Sequence, residues 1–301
     1  MQVSDSHPEH VLRNSADFAG ERREIAVTSA GLALTLHRPE DRDPRGAVLL
    51  IPGWSGPRSG PADILVFLAS RLAQAGWLAV RLDLPGRGDS DGDFAGTDLD
   101  AMIAAVVSVA SEQPAGKLLV LAGLCSGGNV ALGAITPIRN PQSPIPNAVI
   151  SLSALPFQPA RSETFERRRR WRNIRQYAAK ALSPRTWARL AKGEVNLDRV
   201  RKNVTASEKP ASGERNLKDS ARDIEKELLH WNGPALFVWG GGDDEAPPSR
   251  AHFEKLHAAG MGARARTVFH TIPGANHNFY ARAWREELAG LILEFLEQSA
   301  S

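Results

Sequence analysis

A single cysteine stands in a pattern of glycines that suits nucleophilic chemistry. The apolar run Leu118–Ala122 leads into a helix-forming stretch through the sequence GLCSGG, residues 123–128. On a tight turn between a buried strand and a helix, the central side chain projects above the sheet, and glycines two positions away remove Cβ atoms that would clash. The helix N-terminus favours a thiolate and a developing oxyanion. The pattern predicts Cys125 as a nucleophile.

The neighbouring Ser126 is an alternative nucleophile in a shifted register. That register would place Leu124 where the first glycine belongs, whereas Cys125 keeps a glycine on both sides. A buried and inert cysteine beside a tight turn is the purely structural alternative. The glycine spacing favours Cys125 over Ser126, and the acid and the histidine described next favour a nucleophile over an inert cysteine.

Two further segments carry the acid and the base that such a nucleophile needs. An apolar run that begins at Phe237 ends in three glycines and then Asp243, with Asp244 as the alternative acid. His277 follows a Pro-Gly-Ala turn after the last apolar strand pattern. An acid can orient an imidazole and fix its tautomer, and the imidazole can act as general base. We expect Cys125, Asp243 and His277 to form a triad.

The segment Leu50–Pro57 is predicted to provide a backbone donor. An apolar strand ends here in Pro52-Gly53, and the following peptide groups lie at the end of the sheet. The N–H groups of Trp54 and Ser126 are the pair we expect to face the developing charge as an oxyanion hole.

The elements that must position these residues follow from hydrophobic periodicity and chain breakers. Buried strands alternate with helices, which predicts a mostly parallel sheet covered on both faces. The predicted strands are Glu24–Thr28, Leu32–His37, Ala47–Ile51, Leu78–Leu82, Leu118–Ala122, Ala148–Leu152, Ala235–Trp239 and Arg266–Ile272. The predicted helices are Ala62–Ala75, Asp98–Glu112, Ser126–Ile135, Ser249–Ala259 and a final amphipathic helix that contains Tyr280 and Phe295.

One long stretch breaks this alternation. Residues 155–231 lack a strand pattern and are predicted to form a helical cap inserted into a core of residues 21–154 and 232–301, with residues 1–20 as a flexible tail. Between Arg161 and Lys202, 14 Lys and Arg face four acids, a local charge of +10, so the rest of the chain sums to −7. A basic segment on an acidic body is not typical of a nucleic-acid-binding protein.

Composition excludes several classes of protein. The chain has 301 residues, 42% of them hydrophobic, which suffices for a substantial core. With one cysteine, neither an intramolecular disulfide nor a cysteine-based zinc cluster can form. No apolar run has the length of a membrane-spanning helix, and the N-terminus lacks a secretory pattern. We therefore expect a cytoplasmic location.

Together these segments resemble the α/β-hydrolase superfamily over nearly the whole chain beyond residue 20. The order Cys125, Asp243, His277 matches that superfamily's order of nucleophile, acid and base, and the loop Asp83–Ser90 resembles its fourth-strand loop. The GLCSGG turn resembles that of dienelactone hydrolases and polyhydroxyalkanoate synthases, and residues 181–195 resemble the exosortase-associated hydrolase group. The resemblance implies an α/β-hydrolase fold with an eight-stranded sheet and a cap.

The resemblance and the residue chemistry together imply hydrolysis of an ester or thioester through an acyl-Cys125 intermediate, without a metal or an organic cofactor. The alternatives are an acyltransferase that uses the same intermediate and a non-catalytic binding protein with a hydrolase fold. Trp171, Trp187 and Arg170 are candidate substrate contacts for a small-molecule or carrier-bound acyl group. The basic cap could also contact an anionic surface. The oligomeric state does not follow from the sequence.

Overall fold

A computed structural model describes residues 14–18, 20–113, 118–135, 147–157, 220–262 and 266–300. The strands in these ranges form one nine-stranded sheet. They are β1 Asn14–Phe18, β2 Glu21–Val27, β3 Ala33–Pro39, β4 Gly46–Ile51, β5 Leu78–Leu82, β6 Leu118–Leu124, β7 Ala148–Leu152, β8 Ala235–Gly240 and β9 Thr267–Ile272.

The sheet is mostly parallel, as predicted. Its strand order is β1-β2-β3-β5-β4-β6-β7-β8-β9. Neighbours from β5 onward along this order run parallel, whereas β1, β2 and β3 are antiparallel to each other and β3 is antiparallel to β5. The carboxyl ends of six parallel strands therefore share one edge, which is where ligands bind in open α/β sheets.

The ninth strand lies within the segment predicted to be a flexible tail. Asn14–Phe18 pair antiparallel with β2 across a turn that contains Gly20, whose φ is 77°. This corrects the prediction for residues 14–18, because main-chain pairing at a sheet edge needs no apolar pattern. Residues 1–13 lie outside the described residues.

Helices cover both faces of the sheet. In the described ranges they are α1 Ile64–Gln74, α2 Leu99–Ser111, α3 Ser126–Ile135, α4 Ile224–Leu228, α5 Ala246–Ala258 and α6 Arg282–Ala300. Helices α1 and α6 pack on one face, and α2 to α5 pack on the other. The two core clusters explain why the central strands are apolar throughout.

Strand β4 shows how this arrangement follows from the sequence. All six of its residues are buried. Val48 and Leu50 belong to the cluster under α1 and α6, whereas Leu49 and Ile51 belong to the opposite cluster. Successive side chains of a strand point to opposite faces, so a strand covered on both sides must be apolar at every position.

Most of the predicted cap, residues 158–219, lies outside the described residues, so the cap remains a prediction. Its described ends pack with the core instead, since Phe157, Ile224, Leu228 and Trp231 are buried in the cluster that contains α2 and α3. Within the described ranges, no helix is both long and apolar enough to cross a bilayer.

Candidate active site

Cys125 occupies a strained turn between β6 and α3. Its φ is 56°, in the left-handed region that non-glycine residues rarely adopt. The Cys125 N–H donates to the Leu152 carbonyl over 2.7 Å, and its own carbonyl accepts from the Gly128 N–H over 2.9 Å. These bonds to β7 and to α3 hold the strained residue in place, with its side chain partly buried.

The flanking glycines are required by close backbone contacts. A Cβ atom at Gly123 would overlap the Gly127 carbonyl, and one at Gly127 would overlap the carbonyls of Ile51 and Pro52. The glycine spacing therefore fits the turn centred on Cys125, as the sequence predicts.

The acid and the base meet across the loops that follow β8 and β9. His277 Nδ1 lies 2.6 Å from Asp243 Oδ2. The loops are joined by a hydrogen bond from the Gly242 N–H to the Ala275 carbonyl, 2.8 Å long, and a Cβ at Gly240 would overlap Ala275 and Asn276. Asp243, and not the exposed neighbour Asp244, contacts the imidazole.

The His277 side chain also interacts with the Cys125 side chain, through hydrogen bonding and through charge. Burial opposes ionisation of Cys125, but the hydrogen bond and the charge of His277, with the Ser126 N–H, outweigh it and lower the pKa of the thiol. Burial likewise disfavours the imidazolium, yet hydrogen bonds to Asp243 and Cys125 raise the pKa of His277 to about 10. Both shifts favour a thiolate–imidazolium pair.

Ser153 supports His277 and is not evident from the sequence. Its side chain is fully buried directly after β7, and its hydroxyl donates to the His277 carbonyl over 2.8 Å. Ser153 has a φ of 50°, a second strained residue beside the site. Because the two residues are 124 positions apart, no local pattern could link them.

The two expected oxyanion-hole donors lie beside Cys125, but in this structure both already have partners. The Trp54 N–H donates to the Ser126 hydroxyl oxygen over 2.6 Å. The Ser126 N–H makes its hydrogen bond with Cys125. A Cβ built on Gly53 would lie 3.7 Å from Cys125 Cβ and 3.8 Å from Ser126 Oγ. The side chains of Cys125 and Ser126 therefore both lie next to Gly53, the residue before Trp54.

Three predicted substrate contacts, Trp171, Trp187 and Arg170, lie outside the described residues. Among the residues that are described, no cluster of three or more His, Cys, Asp or Glu side chains is placed to hold a metal ion.

With fold and geometry established, comparison with known proteins identifies the family. A model described as the alpha/beta hydrolase family matches residues 48–291. The chain therefore belongs to the alpha/beta hydrolase family. No curated protein sequence shows significant similarity to the chain.

Several solved structures share the fold. Est1E from Butyrivibrio proteoclasticus, solved with ferulic acid bound, is 19% identical, with 95% of this chain and 98% of that chain covered and a TM-score of 0.57. For dienelactone hydrolase from Anabaena variabilis the identity is 17%, the coverage 93% and 98%, and the TM-score 0.58. The thioesterase domain from the curacin biosynthetic pathway is 17% identical, with 93% of this chain and 98% of that chain covered and a TM-score of 0.55.

Proposed function

We propose that this protein hydrolyses an ester or thioester through a covalent acyl-Cys125 intermediate. The observation that carries the proposal is the position of His277, whose Nδ1 lies 2.6 Å from Asp243 Oδ2 and whose side chain interacts with Cys125 at the turn between β6 and α3. Nucleophile, base and orienting acid within hydrogen-bond reach are the signature of an activated nucleophile.

The first half of the reaction forms the thioester. The Cys125 thiolate attacks the substrate's carbonyl carbon, and the carbonyl π electrons move to oxygen. As this oxyanion collapses, the bond to the leaving alkoxide or thiolate breaks, and the leaving group takes the proton from His277. Asp243 holds the imidazole orientation through Nδ1.

The second half releases the acyl group. Water attacks the thioester carbonyl while His277 accepts a proton from it. A second tetrahedral intermediate then expels the Cys125 thiolate, which leaves a carboxylic acid and the starting thiolate–imidazolium pair. In both halves, the Trp54 N–H must exchange the Ser126 hydroxyl for the substrate oxygen.

Acyl transfer to another acceptor is the second candidate, and the cysteine itself favours it. A thioester reacts readily with amines and thiols, so an acceptor other than water could take the acyl group. A non-catalytic role is disfavoured, because a binding protein has no need of a cysteine whose pKa is lowered by a hydrogen-bonded histidine.

The proposals on substrate identity concern residues outside the described ranges. Binding of the acyl chain by Trp171 and Trp187, contact of the basic segment with an anionic carrier or surface, and membership of the exosortase-associated hydrolase group all concern the predicted cap. They remain proposals on sequence grounds.

Intact mass spectrometry tests the proposed function directly. The protein is mixed with a panel of aryl esters and acyl thioesters, alongside Cys125→Ala and Ser126→Ala variants. We expect an acyl-sized mass gain that Cys125→Ala lacks and Ser126→Ala retains, and whose decay in water, compared with added amine or thiol, separates hydrolysis from transfer. A gain that persists in Cys125→Ala, or no gain and no turnover with any panel member, would contradict the proposal.

A further inference from the structure

Arg87 is a buried arginine in the loop that follows β5. It belongs to the loop Asp83–Ser90, and only 3% of its surface is exposed. Its Nε donates to the Trp54 carbonyl over 2.9 Å, and Nη1 donates to the Pro85 carbonyl. The guanidinium is thus attached to the peptide segment that carries the expected oxyanion-hole donor.

Two aromatic rings enclose the same guanidinium. Its central carbon lies 5.1 Å from the centroid of the Trp54 ring and 4.4 Å from that of Phe94. Both distances allow cation–π attraction. The arginine therefore fixes Trp54 through its side chain as well as through its carbonyl.

Arg87 has no ion-pair partner among the described residues. By contrast, the neighbouring Arg58 pairs with Asp83 and Asp89 in the same loop. A buried charge without a counter-ion is costly and is rarely kept without a function. Here the uncompensated positive charge lies against the carbonyl and the ring of Trp54, the residue whose N–H is an expected oxyanion-hole donor.

Both backbone polar groups of Trp54 are consequently hydrogen-bonded. Its carbonyl accepts from Arg87, and its N–H donates towards the active site, to Ser126 Oγ at 2.6 Å. The carbonyl and the N–H of Trp54 belong to successive peptide groups joined at its Cα, so the charge-assisted bond from Arg87 fixes the backbone conformation that aims the N–H.

We propose that Arg87 is a positioning residue of the oxyanion hole, which holds the carbonyl and the indole ring of Trp54 and so orients the Trp54 N–H for the tetrahedral intermediate. The inference rests on the proposed acyl-enzyme chemistry at Cys125. Arginine suits the role because its planar group can stack between rings while Nε donates sideways, which the lysine ammonium cannot reproduce.

Two reactions at Cys125 separate this role from a structural one. Acylation by a p-nitrophenyl ester passes through an oxyanion, whereas alkylation by iodoacetamide displaces iodide and forms none. Since Cys125 is the only cysteine of the chain, both reactions report on one atom. The rates are measured for the unaltered protein, Arg87→Met and Arg87→Lys.

Arg45→Met is the matched control. Arg45 also stacks on a tryptophan, 5.1 Å above the Trp77 ring, and pairs with Glu297. It precedes β4, whereas Trp54 follows β4, so it lies at the opposite edge of the sheet. The same substitution there removes a stacked arginine without touching the site.

We expect Arg87→Met to slow acylation by about 10- to 100-fold, less than the 10²–10³ typical for loss of an entire donor. Alkylation rate and its pH midpoint should stay near those of the unaltered protein. Arg87→Lys keeps the charge, so its acylation rate should lie between those of the unaltered protein and Arg87→Met. Arg45→Met should be acylated at the normal rate.

An equal fall of both rates in the Arg87 variants, or normal acylation in Arg87→Met, overturns the inference while leaving the acyl-Cys125 proposal intact. If Arg87→Met fails to fold, the ratio of the two rates in Arg87→Lys decides. Absence of any Cys125 acylation in the unaltered protein overturns both proposals, and the Cys125→Ala variant identifies that case.

Discussion

Two histidines of this protein, the buried His37 and the half-buried His277, each contact a carboxylate through Nδ1, yet their surroundings favour opposite protonation states. His37 Nδ1 lies 2.8 Å from Glu21 in the β2–β3 hairpin, and His277 Nδ1 lies 2.6 Å from Asp243 at the candidate site. At the second nitrogen, His37 accepts from Arg81 over 2.9 Å, whereas His277 meets the Cys125 thiol.

The third partner decides which protonation state is stable. Burial and the charge of Arg81 lower the pKa of His37, although Glu21 opposes them, so this imidazole stays neutral. At the site burial acts the same way, but Asp243 and Cys125 raise the pKa of His277 to about 10. The same histidine–carboxylate pair thus stays neutral when a cation lies beside it, and favours the imidazolium when a thiol lies beside it.

Replacing the acid at the site should have the largest effect. Asp243→Asn keeps the shape but removes the charge that stabilises the imidazolium and fixes its tautomer, and we expect acylation to slow by about 10²–10⁴-fold. Acylation rates measured by release of p-nitrophenol test this. Asp244→Asn, at the exposed neighbour, is the control, and a greater loss there would make Asp244 the functional acid.

Removing the base should change the titration of the thiol. His277→Gln takes away the hydrogen bond and the charge that lower the pKa of Cys125, so the midpoint of iodoacetamide alkylation should rise to about 8.5 or above. Rates measured across pH 5–10 give the midpoint, with His37→Gln as control. An identical midpoint in His277→Gln and the unaltered protein would rule out the thiolate–imidazolium pair.

Local sequence patterns point to the proposed triad more readily than to the residues that contact it. Cys125, Asp243 and His277 follow strand ends whose order is readable from local patterns, and the structure brings the three together. Ser153 and Arg87 act through contacts with residues 124 and 33 positions away, which no local pattern encodes. Edge strand β1 was missed for a related reason, because its pairing depends on main-chain atoms.

Substitution of the hairpin histidine should have a smaller effect, on stability instead of activity. Because the pKa of His37 is lowered in the folded protein, the unfolded chain takes up this proton at a higher pH, so the free energy of unfolding decreases as the pH falls below about 7. Glu21, with a pKa of about 2, loses its stabilising charge only at much lower pH.

Glutamine can donate to Glu21 and accept from Arg81 without titrating. His37→Gln should therefore fold, acylate normally and lose part of the acid sensitivity, as measured by urea unfolding at pH 7 and pH 5. If the two proteins lose the same free energy between these pH values, His37 is not the titrating group.

The smallest effect is expected at Ser126. Ser126→Ala removes the hydroxyl that competes with a substrate carbonyl for the Trp54 N–H, so the variant should lower KM a few-fold and change kcat by less than about tenfold. Steady-state kinetics with one ester measure both constants. A higher KM, or complete loss of acylation, would speak against this account, and complete loss would revive Ser126 as nucleophile.

The short bond between the Trp54 N–H and the Ser126 hydroxyl also bears on inhibition. A neutral ketone or amide that reaches this N–H merely replaces one uncharged acceptor by another and gains little affinity. An aldehyde or trifluoromethyl ketone that becomes a charged adduct on Cys125 gains a stronger, charge-assisted bond. We therefore expect the Ser126 hydroxyl to compete with ligands for the Trp54 N–H, so that ligands resembling the tetrahedral intermediate bind more tightly than ligands resembling the substrate.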